Sequence, residues 1–538
     1  MWTFAVCALA CGLARVSAAA AVRETESKFW LENGNRMLDM RFKMQLQTNT
    51  ARNMIMFLGD GMSLTTLTAA RIYQGQLRNG SGENERLSFE RFPFTGISKT
   101  YCVDFQVPDS ACTSTAYLCG VKTNKGAIGV SSKVSLFDCP ASVSEDARTT
   151  SIMQWAQWTG KATGIVTTTR VTHASPAGAY AHVAHRDWES DSDMQRIGRG
   201  KTNVTQCEDI ARQLITRDPG QNFKVILGGG RSKFLFKESD NSTGERLDEN
   251  LIDVWKNNKL NRFPGQTTKY VTNREELMNV NASKVDYLLG LFHDSHMDYR
   301  LKADANKQPT LQEMTKKAVE VLQKEPNGFV LFVEGGLIDK AHHETWAKIA
   351  LDETVEFSKA VAAAAEMTDE DDTLIVVTSD HAHTMTMAGY PVRGENILGS
   401  PRTLADDNKA YTTLSYANGP KVSFELDNST NACRRLDVTN EDIAKVDFQY
   451  PSLVHLNAET HGGDDVMVFA RGPWAHLFTG NFEQNEIPLA MALAANLPTK
   501  RPERDSHSLS GAVSRLHSVG LISTSVLVGL LGTFRFGL

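Results

Sequence analysis

The segment EGGLIDKAHHE, residues 334–344, carries side chains that are typical of a metal site. If a helix begins near Ile338, Asp339 and His343 lie four residues apart and project from one face of it. A carboxylate oxygen beside an imidazole nitrogen suits Zn²⁺. Because such pairs are common on solvated helix faces, the metal-site interpretation depends on further ligands elsewhere in the chain.

More side chains that can bind metal ions stand next to short apolar runs. Where each run ends, a carboxylate, an imidazole or a hydroxyl group takes the place of another apolar residue. These residues are Asp60 after 54–58, His173 and Ser175 after 164–169, Glu334 after 329–333, Asp380 and His381 after 374–377, and His461 shortly before 466–470. Of these residues, Asp380, His381 and His461 have side chains of the ligand type, and they strengthen the interpretation of Asp339 and His343 as part of a metal site.

The candidate nucleophile is Ser110, which follows Pro108 and Asp109 and precedes an Ala- and Thr-rich run. This pattern is typical of a helix start, and one interpretation makes Ser110 a simple N-cap residue. The other interpretation uses the positive end of the helix dipole, which favours both a serine alkoxide and a bound phosphate. A metal ion at the hydroxyl would lower its pKa further.

The elements that must position these residues are strands and helices in alternation. Continuous apolar runs indicate strands buried on both faces, and the stretches 310–324 and Ala347–Met367 have helical spacing. We therefore predict an α/β fold with a large central, mostly parallel sheet sandwiched by helices. Ligands of such sheets bind beyond the carboxyl ends of the strands, so we expect the candidate residues to meet at one edge.

Two further segments differ from this core. Residues 27–47 have the spacing of an amphipathic helix and predict an N-terminal arm. Between about 390 and 457 the composition changes to Gly, Pro, Asn and Thr with shorter apolar runs. We interpret this segment as a small subdomain inserted before the last core strand, 466–470.

Composition and charge exclude several classes of protein. The chain has 538 residues, 41% hydrophobic and 22% charged, which is ordinary for a globular protein. Its 57 basic and 63 acidic residues give a net charge of −6, so no overall positive field favours nucleic acid. The chain has no G-x-S-x-G, P-loop or H-E-x-x-H motif.

Both ends of the chain resemble sorting signals. Residues 1–20 are typical of a secretory signal peptide, with cleavage between about 18 and 21. The apolar tail 519–534 is shorter than the roughly 20 residues of a spanning helix. Small residues and a polar spacer precede it, which indicates a removed GPI-attachment signal over 511–538. Ser510 is the expected attachment site, with Ser508, Ser506 and Asp505 as alternatives. The other interpretations of the tail are a retained tail anchor and a buried helix.

Cysteine and asparagine patterns fit a secreted protein. Two of the 8 cysteines lie in the predicted signal peptide, and the remaining six allow several disulfide connectivities. Five N-x-S/T sequons predict glycosylated loops. They are Asn79, Asn203, Asn241, Asn281 and Asn428.

Six motifs occur in an order that resembles the animal alkaline phosphatases of the membrane-bound, GPI-anchored type. They are residues 53–62, 109–111, 166–186, 332–344, 378–383 and 459–473, within a similarity that runs from about 29 to 497. The resemblance implies the alkaline phosphatase fold over residues 21–510. It also implies hydrolysis of phosphate monoesters at alkaline pH, with broad specificity, at the outer cell surface.

The resemblance also implies two zinc ions and one magnesium ion per subunit. In the family, residues that match Asp339, His343 and His461 hold one zinc ion. Residues that match Asp60, Asp380 and His381 hold the other, together with the nucleophile that matches Ser110 and forms a phosphoserine. The magnesium site matches Asp60, Ser175 and Glu334.

Further roles are implied in the same way. Arg186 matches the arginine that holds the phosphate, and Tyr390 matches a tyrosine that reaches the partner's site in the family homodimer. Cys139 and Cys207 match a family disulfide, and Cys119 matches an unpaired cysteine. We also expect, from this chain alone, that Cys102 pairs with Cys112.

Some positions depart from the family pattern. Lys340 stands where animal members commonly have histidine, whereas His173 follows the animal pattern, so the surroundings of the magnesium site are a hybrid. His293 and Gln308 replace carboxylates of the vertebrate calcium site, which is therefore poorly supported. The alternative functions are a phosphodiesterase or sulfatase of the same superfamily, although the sulfatase C/S-x-P-x-R segment is missing, and an inactive surface binding protein.

Overall fold

The predicted strands form the centre of a ten-stranded sheet in a computed structural model that describes residues 24–239, 242–427 and 432–502. Along the sheet the strands follow the order β17-β2-β16-β8-β1-β7-β3-β4-β6-β5. Those strands, with the strands of the smaller sheets, are β1 Asn53–Gly59, β2 Phe94–Lys99, β3 Ala162–Arg170, β4 Val225–Gly229, β5 Thr268–Val271, β6 Tyr287–Leu291, β7 Phe329–Gly335, β8 Thr373–Thr378, β9 Ala382–His383, β10 Met385–Met387, β11 Leu414–Gly419, β12 Phe424–Asp427, β13 Ala432–Arg435, β14 Ser452–His455, β15 His461–Gly462, β16 Val466–Arg471 and β17 Gly480–Glu483.

Helices cover the sheet. The α-helices are α1 Ser27–Phe42, α2 Leu64–Leu77, α3 Ser110–Cys119, α4 Cys139–Ser142, α5 Ile152–Trp158, α6 Ala174–Ala177, α7 Asp191–Gly198, α8 Ile210–Thr216, α9 Leu251–Arg262, α10 Arg274–Met278, α11 Leu311–Leu322, α12 Leu337–His343, α13 Ala347–Met367 and α14 Glu486–Ala494. Short 3₁₀ turns occupy Ser88–Arg91, Gly220–Asn222, Arg231–Lys233, Ala282–Lys284 and Ala475–Phe478.

The fold class predicted from the apolar runs is confirmed. All seven residues of β1 are buried. Met54, Met56 and Leu58 pack into one hydrophobic layer, and Ile55 and Phe57 pack into the layer on the opposite face. Side chains alternate between two cores because successive residues of a strand point to opposite faces.

Strand direction matches the prediction except at one position. Seven consecutive strands, from β8 to β5, are parallel. The predicted last core strand, β16, is antiparallel to both β8 and β2. Strands β2, β5 and β17 were not predicted, because they are short or mix polar with apolar residues. Strand β6, a fully buried apolar run, was not predicted either.

The predicted helices differ mainly at their ends. Ala347–Met367 is helical over the predicted range. Helix α11 is shorter than 310–324, because Thr310 caps it by accepting from the N–H of Glu313 while the Glu313 side chain accepts from the N–H of Thr310. The N-terminal helix ends at Phe42, five residues before the predicted end, and buries none of its residues.

The segment 390–457 contributes no strand to the ten-stranded sheet. In a three-stranded sheet its strand β11 lies between β10 and β14 and pairs with both, and β12 pairs with β13 in a hairpin. Its assignment as a subdomain stays a prediction. The described residues up to Lys500 belong to one compact unit.

Several sequence predictions fall outside the described residues. They are the signal peptide, Asn241, Asn428, the GPI-attachment signal over 511–538, and Ser510 with its alternatives Asp505, Ser506 and Ser508. Among the helices that the structure does describe, none is both long and apolar enough to cross a membrane.

Candidate metal and catalytic site

Four neighbouring strands end at the candidate ligands. β8, β1, β7 and β3 are consecutive and parallel, so their carboxyl ends meet at one edge of the sheet. Asp380 follows β8, Asp60 follows β1, Glu334 lies near the end of β7, and Ser175 lies five residues beyond β3. All four side chains are buried. This edge is where the sequence placed the site.

A first cluster of side chains surrounds Asp339. The helix expected near Ile338 is present as α12, and it brings His343 Nε2 to 3.2 Å from Asp339 Oδ1. His461 Nε2 lies 3.3 Å from the same oxygen and 3.2 Å from His343 Nε2. Nitrogen and oxygen donors that face one point in this way can hold a zinc ion.

A second cluster lies beside the candidate nucleophile, Ser110. Asp60, Asp380 and His381 bring one donor atom each to within 4.8 Å of one another. His381 Nε2 is 3.2 Å from Asp380 Oδ2 and 3.5 Å from Asp60 Oδ1. Ser110 Oγ lies 3.3 Å from the same ring nitrogen. The serine hydroxyl therefore faces the second cluster directly.

A third cluster shares Asp60 with the second. Donor atoms of Asp60, His173 and Glu334 lie within 4.8 Å of one another. Thr167 and Thr169 donate their hydroxyls to Glu334 Oε2, which leaves Glu334 Oε1 without a hydrogen bond. His173 was expected beside the magnesium site, and its ring lies among the candidate donors themselves.

Unsatisfied buried atoms test whether the three clusters fit metal ions. Both carboxylate oxygens of Asp60, one oxygen each of Glu334 and Asp380, Ser175 Oγ and His173 Nδ1 are buried without a hydrogen-bond partner. Leaving so many polar atoms unpaired costs free energy unless a cation satisfies them. The mixed nitrogen and oxygen donors suit Zn²⁺, and the oxygen-rich third cluster suits Mg²⁺. The residues present therefore fit divalent metal ions.

The crowding of carboxylates in the clusters also favours bound divalent cations. Burial, reinforced by the carboxylates of Asp380, Asp339 and Glu334, raises the pKa of Asp60 well above its usual range. Burial also raises the pKa of Glu334 to about 7 and that of Asp380 to about 6. Carboxylates crowded in this way repel one another, and bound cations remove the repulsion.

The candidate nucleophile, Ser110, lies in the first turn of a helix. Asp109, and not Ser110, is the N-cap of α3, because its Oδ1 accepts from the N–H of Cys112. Ser110 is the first helical residue, and it is buried. The N-cap interpretation of Ser110 is therefore wrong, whereas its place at the positive end of the helix dipole agrees with the sequence.

Arg186 is aimed by its neighbours. Its Nη1 donates to Asp109 Oδ2 at 2.9 Å, and its Nη2 donates to His173 Nε2 at 3.2 Å. Burial alone would raise the pKa of Asp109, but Arg186 and the N–H groups of Gly126 and Cys112 lower it. The guanidinium thus lies between the nucleophile helix and the third cluster.

Lys340 contacts the first cluster, with Nζ 3.6 Å from Asp339 Oδ2. Burial opposes ionisation of Asp339, yet His343, Lys340 and His383 hold its pKa well below the usual range. Asp339 is therefore kept as a carboxylate, the form that binds metal.

Sequence reasoning missed His383 and Glu459. His383 Nε2 donates to Asp339 Oδ1 at 2.8 Å, and its Nδ1 donates to Glu459 Oε2. Burial opposes protonation of His383, but these two carboxylates raise its pKa to about 10. A signal was present, because His383 and Glu459 both lie within motifs of the family resemblance and His383 is two residues from His381.

A glycine is required at position 61, where the backbone after Asp60 passes close to His383. It has a φ of +66°, which side-chain-bearing residues rarely adopt, and its N–H donates to Asp380 Oδ1 at 3.0 Å. A Cβ on Gly61 would lie 2.3 Å from His383 Cδ2. The glycine after Asp60 therefore lets the first and second clusters approach each other.

The remaining predicted residues are placed as follows. Disulfides join Cys139 to Cys207 and Cys102 to Cys112, and among the described cysteines Cys119 is free and buried while Cys433 is free and exposed. Tyr390 is 99% exposed. The sequons at Asn79, Asn203 and Asn281 are exposed.

Comparison with known proteins gives consistent matches. The family model described as alkaline phosphatase matches residues 51–497. A protein of Bombyx mori named membrane-bound alkaline phosphatase is 45% identical over 494 residues, covering 90% of this chain and 88% of that protein. The tissue-nonspecific alkaline phosphatase isozyme of Gallus gallus is 44% identical over 526 residues, covering 95% and 98%. The human tissue-nonspecific isozyme is 43% identical and covers 96% and 98%.

Solved structures agree on the fold. The alkaline phosphatase of the Antarctic bacterium TAB5 superimposes with a TM-score of 0.56 at 22% identity, covering 84% of this chain and 100% of that chain. The Thermus thermophilus alkaline phosphatase gives a TM-score of 0.58 at 20% identity, covering 85% and 94%.

Proposed function

The chain belongs to the alkaline phosphatase family and hydrolyses phosphate monoesters, and from this we propose that it does so through a phosphoserine on Ser110. The observation that carries the proposal is the position of Ser110. Its Oγ lies 3.3 Å from His381 Nε2, at the first turn of α3 and beside the unsatisfied carboxylates of Asp60 and Asp380. The hydroxyl is thus buried between the start of a helix, which favours a bound anion, and carboxylates, which favour bound cations.

The proposal includes three metal ions for each chain. Two zinc ions would be held by Asp339, His343 and His461, and by Asp60, Asp380, His381 and Ser110. A magnesium ion would be held by Asp60, Ser175 and Glu334. When bound, such ions supply positive charge that favours a deprotonated nucleophile and stabilises a leaving alkoxide. That the family is metal-dependent agrees with the donor clusters of the site.

The chain's own residues bind and orient the phosphate. Arg186 can present two N–H groups to the equatorial oxygens, a geometry that a planar guanidinium provides. Asp109 holds one end of that guanidinium and caps the helix of Ser110 at the same time. The nucleophile and the phosphate-binding group are therefore positioned by one carboxylate.

The reaction follows from this arrangement. Ser110 Oγ, having lost its proton, forms a bond to phosphorus while the bond to the ester oxygen breaks, and the alcohol leaves after gaining a proton. Water then attacks the phosphoserine, the Oγ–phosphorus bond breaks, and inorganic phosphate leaves as Ser110 regains a proton. The free N–H groups at the start of α3 and Arg186 hold the negative charge on the phosphoryl oxygens throughout.

Replacing Ser110 tests this mechanism. We expect Ser110→Ala to lose nearly all turnover of p-nitrophenyl phosphate while it retains its zinc and magnesium, measured by mass spectrometry of the dialysed protein. Trapping with labelled phosphate at acidic pH should label the wild type and leave Ser110→Ala unlabelled. Turnover by Ser110→Ala at the wild-type rate would contradict the assignment.

A panel of substrates separates the related activities. We expect p-nitrophenyl phosphate to be hydrolysed at alkaline pH much faster than p-nitrophenyl sulfate or bis-p-nitrophenyl phosphate. EDTA should abolish the activity, and dialysis against zinc and magnesium should restore it. Faster hydrolysis of the diester or the sulfate would identify one of the alternative activities instead.

We also propose that the protein acts as a GPI-anchored, glycosylated homodimer on the outer cell surface. The signal-like termini and the exposed sequons Asn79, Asn203 and Asn281 support this, as does the membrane-bound relative in Bombyx mori. The full exposure of Tyr390 is consistent with a partner that covers it. Phosphatidylinositol-specific phospholipase C should release the activity from membranes, and activity that stays bound would contradict the anchor.

A further inference from the structure

Three exposed apolar side chains lie in the segment that leads to the nucleophile. Val103, Phe105 and Val107 are 53%, 50% and 40% exposed, although each is large and apolar. A fourth, Leu136, is 45% exposed, and its Cδ1 would lie 2.8 Å from a Cβ added to Gly126. We refer to Val103, Phe105, Val107 and Leu136 as the apolar lip.

The segment that carries Val103, Phe105 and Val107 is fixed by a disulfide and by backbone hydrogen bonds. The Cys102–Cys112 disulfide joins this segment to the helix of Ser110, and Cys112 lies two residues after Ser110. The N–H of Cys102 donates to Phe105 O at 3.0 Å, and the N–H of Val103 donates to Thr123 O at 3.0 Å. Exposed apolar side chains on a segment fixed in this way are presented as a preformed surface and lose little entropy on binding.

One side of the lip adjoins the first metal cluster. Gly463 lies two residues after His461, and a Cβ added to Gly463 would lie 3.3 Å from Val107 Cγ2. His461 Nδ1 donates to the carbonyl oxygen of Pro108 at 2.8 Å, so the residue after Val107 contacts a candidate zinc ligand.

The other side of the lip adjoins the phosphate-binding arginine. Lys125 Nζ lies 4.8 Å from the ring centre of Phe105, and the N–H of Lys125 donates to Asp104 at 2.8 Å. The next residue, Gly126, donates its N–H to Asp109 Oδ1 at 3.1 Å and accepts from the N–H of Arg186 at 2.8 Å. Phe105 is therefore linked through two adjacent residues to the groups that orient phosphate.

We propose that the apolar lip binds the alcohol portion of phosphate monoesters in which that portion is aromatic or a long alkyl chain. This deepens the proposed function, on which it rests. The phosphate determines where the ester sits, and the chain beyond the ester oxygen extends out of the buried site. Exposed apolar side chains beside the site gain free energy when they cover such a chain and release water.

Paired substrates test the proposal. Phe105→Ala should lower kcat/KM for 2-naphthyl phosphate about fivefold, the factor expected when about 40 Å² of apolar surface stays in water. It should leave kcat/KM for glycerol 1-phosphate unchanged, because that alcohol is polar and short. Phe105→Trp should retain or raise the preference for the naphthyl ester. The competitive inhibition constant of inorganic phosphate should stay the same, since it occupies only the phosphate position.

The matched control is Leu260→Ala, which removes a 70% exposed leucine from α9. We expect it to change neither substrate. An equal loss on both substrates in Phe105→Ala would assign a structural role to the ring, and no change on either would show that the lip binds nothing; each overturns the proposal. A change in the molecular mass of Phe105→Ala in solution would assign the lip to a subunit interface and would also overturn it.

Failure of the lip and failure of the proposed function are distinguishable. If the wild-type protein hydrolyses neither ester, the phosphomonoesterase mechanism is contradicted. If it hydrolyses both and the Phe105 variants do not alter their ratio, only the lip is contradicted.

Discussion

At the residue scale, Arg186 shows how one side chain can hold the local structure together and also serve the proposed mechanism. Its guanidinium donates to Asp109, which caps the helix of Ser110, and to the ring of His173. The arginine therefore keeps a fixed direction in the absence of substrate. A lysine has the charge but not the fork of N–H groups, so its effect separates geometry from electrostatics.

We expect Arg186→Lys to raise both KM for p-nitrophenyl phosphate and the inhibition constant of inorganic phosphate by about tenfold, the loss of one charge-assisted hydrogen bond. Steady-state kinetics on the metal-loaded enzyme measure both constants. The control is Arg212→Lys, because Arg212 pairs with Asp248 and Glu249 away from the site. An unchanged inhibition constant in Arg186→Lys would show that this residue does not hold phosphate.

Glu459 is a second residue whose role comes only from contacts. It accepts from the ring of His383 with one oxygen and from the N–H and hydroxyl of Thr384 with the other. His383 in turn orients Asp339. Such outer contacts fix the direction of a metal ligand without touching the metal.

We expect Glu459→Gln to weaken zinc binding about tenfold to a hundredfold, because the amide cannot balance the charge of His383. Competition with a zinc chelator measures the affinity directly and does not depend on turnover. Glu366→Gln, an exposed position on α13, provides the control. Equal zinc affinity in the variant and the wild type would remove the positioning role from Glu459.

At the element scale, α13 carries a buried carboxylate that lies outside the metal clusters. Glu353 Oε1 accepts from the N–H of Arg300 at 2.6 Å, but the guanidinium of Arg300 pairs with Asp352 instead. Burial, with the charges of Asp352 and Glu356, raises the pKa of Glu353 to about 8. The helix thus holds an acid that keeps its proton in neutral solution.

This predicts a pH dependence of stability. The pKa of Glu353 is higher in the folded chain than in the unfolded one, so deprotonation favours unfolding. The free energy of unfolding should therefore fall as the pH rises from about 4.5 to about 8. Glu353→Gln should remove this contribution, so that the urea midpoint of the variant rises relative to the wild type across that interval. Parallel curves for the two metal-loaded proteins would contradict the shift.

At the scale of the whole molecule, two disulfides close loops of very different length. Cys139–Cys207 spans 68 residues, and Cys102–Cys112 spans 10. Each limits the freedom of the unfolded chain, and the longer loop loses more. The Cys139–Cys207 disulfide connects α4 to the segment before α8. The Cys102–Cys112 disulfide joins the segment that precedes Ser110 to α3.

We expect Cys139→Ser with Cys207→Ser to lower the free energy of unfolding by about 4 kcal/mol, and Cys102→Ser with Cys112→Ser to lower it by about 3 kcal/mol. Guanidinium unfolding with saturating zinc and magnesium measures both, so that metal loss does not add to the result. A larger loss from the short loop would indicate that native contacts, and not loop length, determine the order.

The sequence by itself determined the fold class and most of the candidate site. Buried apolar runs followed by polar residues depend only on neighbours along the chain, so β1, β3, β7 and β8 and the residues after them were predictable. The spacing of Asp339 and His343 depends on helix geometry alone, and it led to a pair of atoms 3.2 Å apart. Family motifs supplied the remaining ligands, because their order along the chain is itself sequence information.

Only the tertiary structure decided how these pieces meet. The direction of β16 depends on how the strands pair, and the contacts of Glu459 with His383 and of Asp109 with Arg186 join residues that are distant in the sequence. Strand register and loop closure set those contacts, and neither leaves a periodic signal in the sequence. For the same reason the apolar lip could not be foreseen, since exposure depends on what the rest of the chain leaves uncovered.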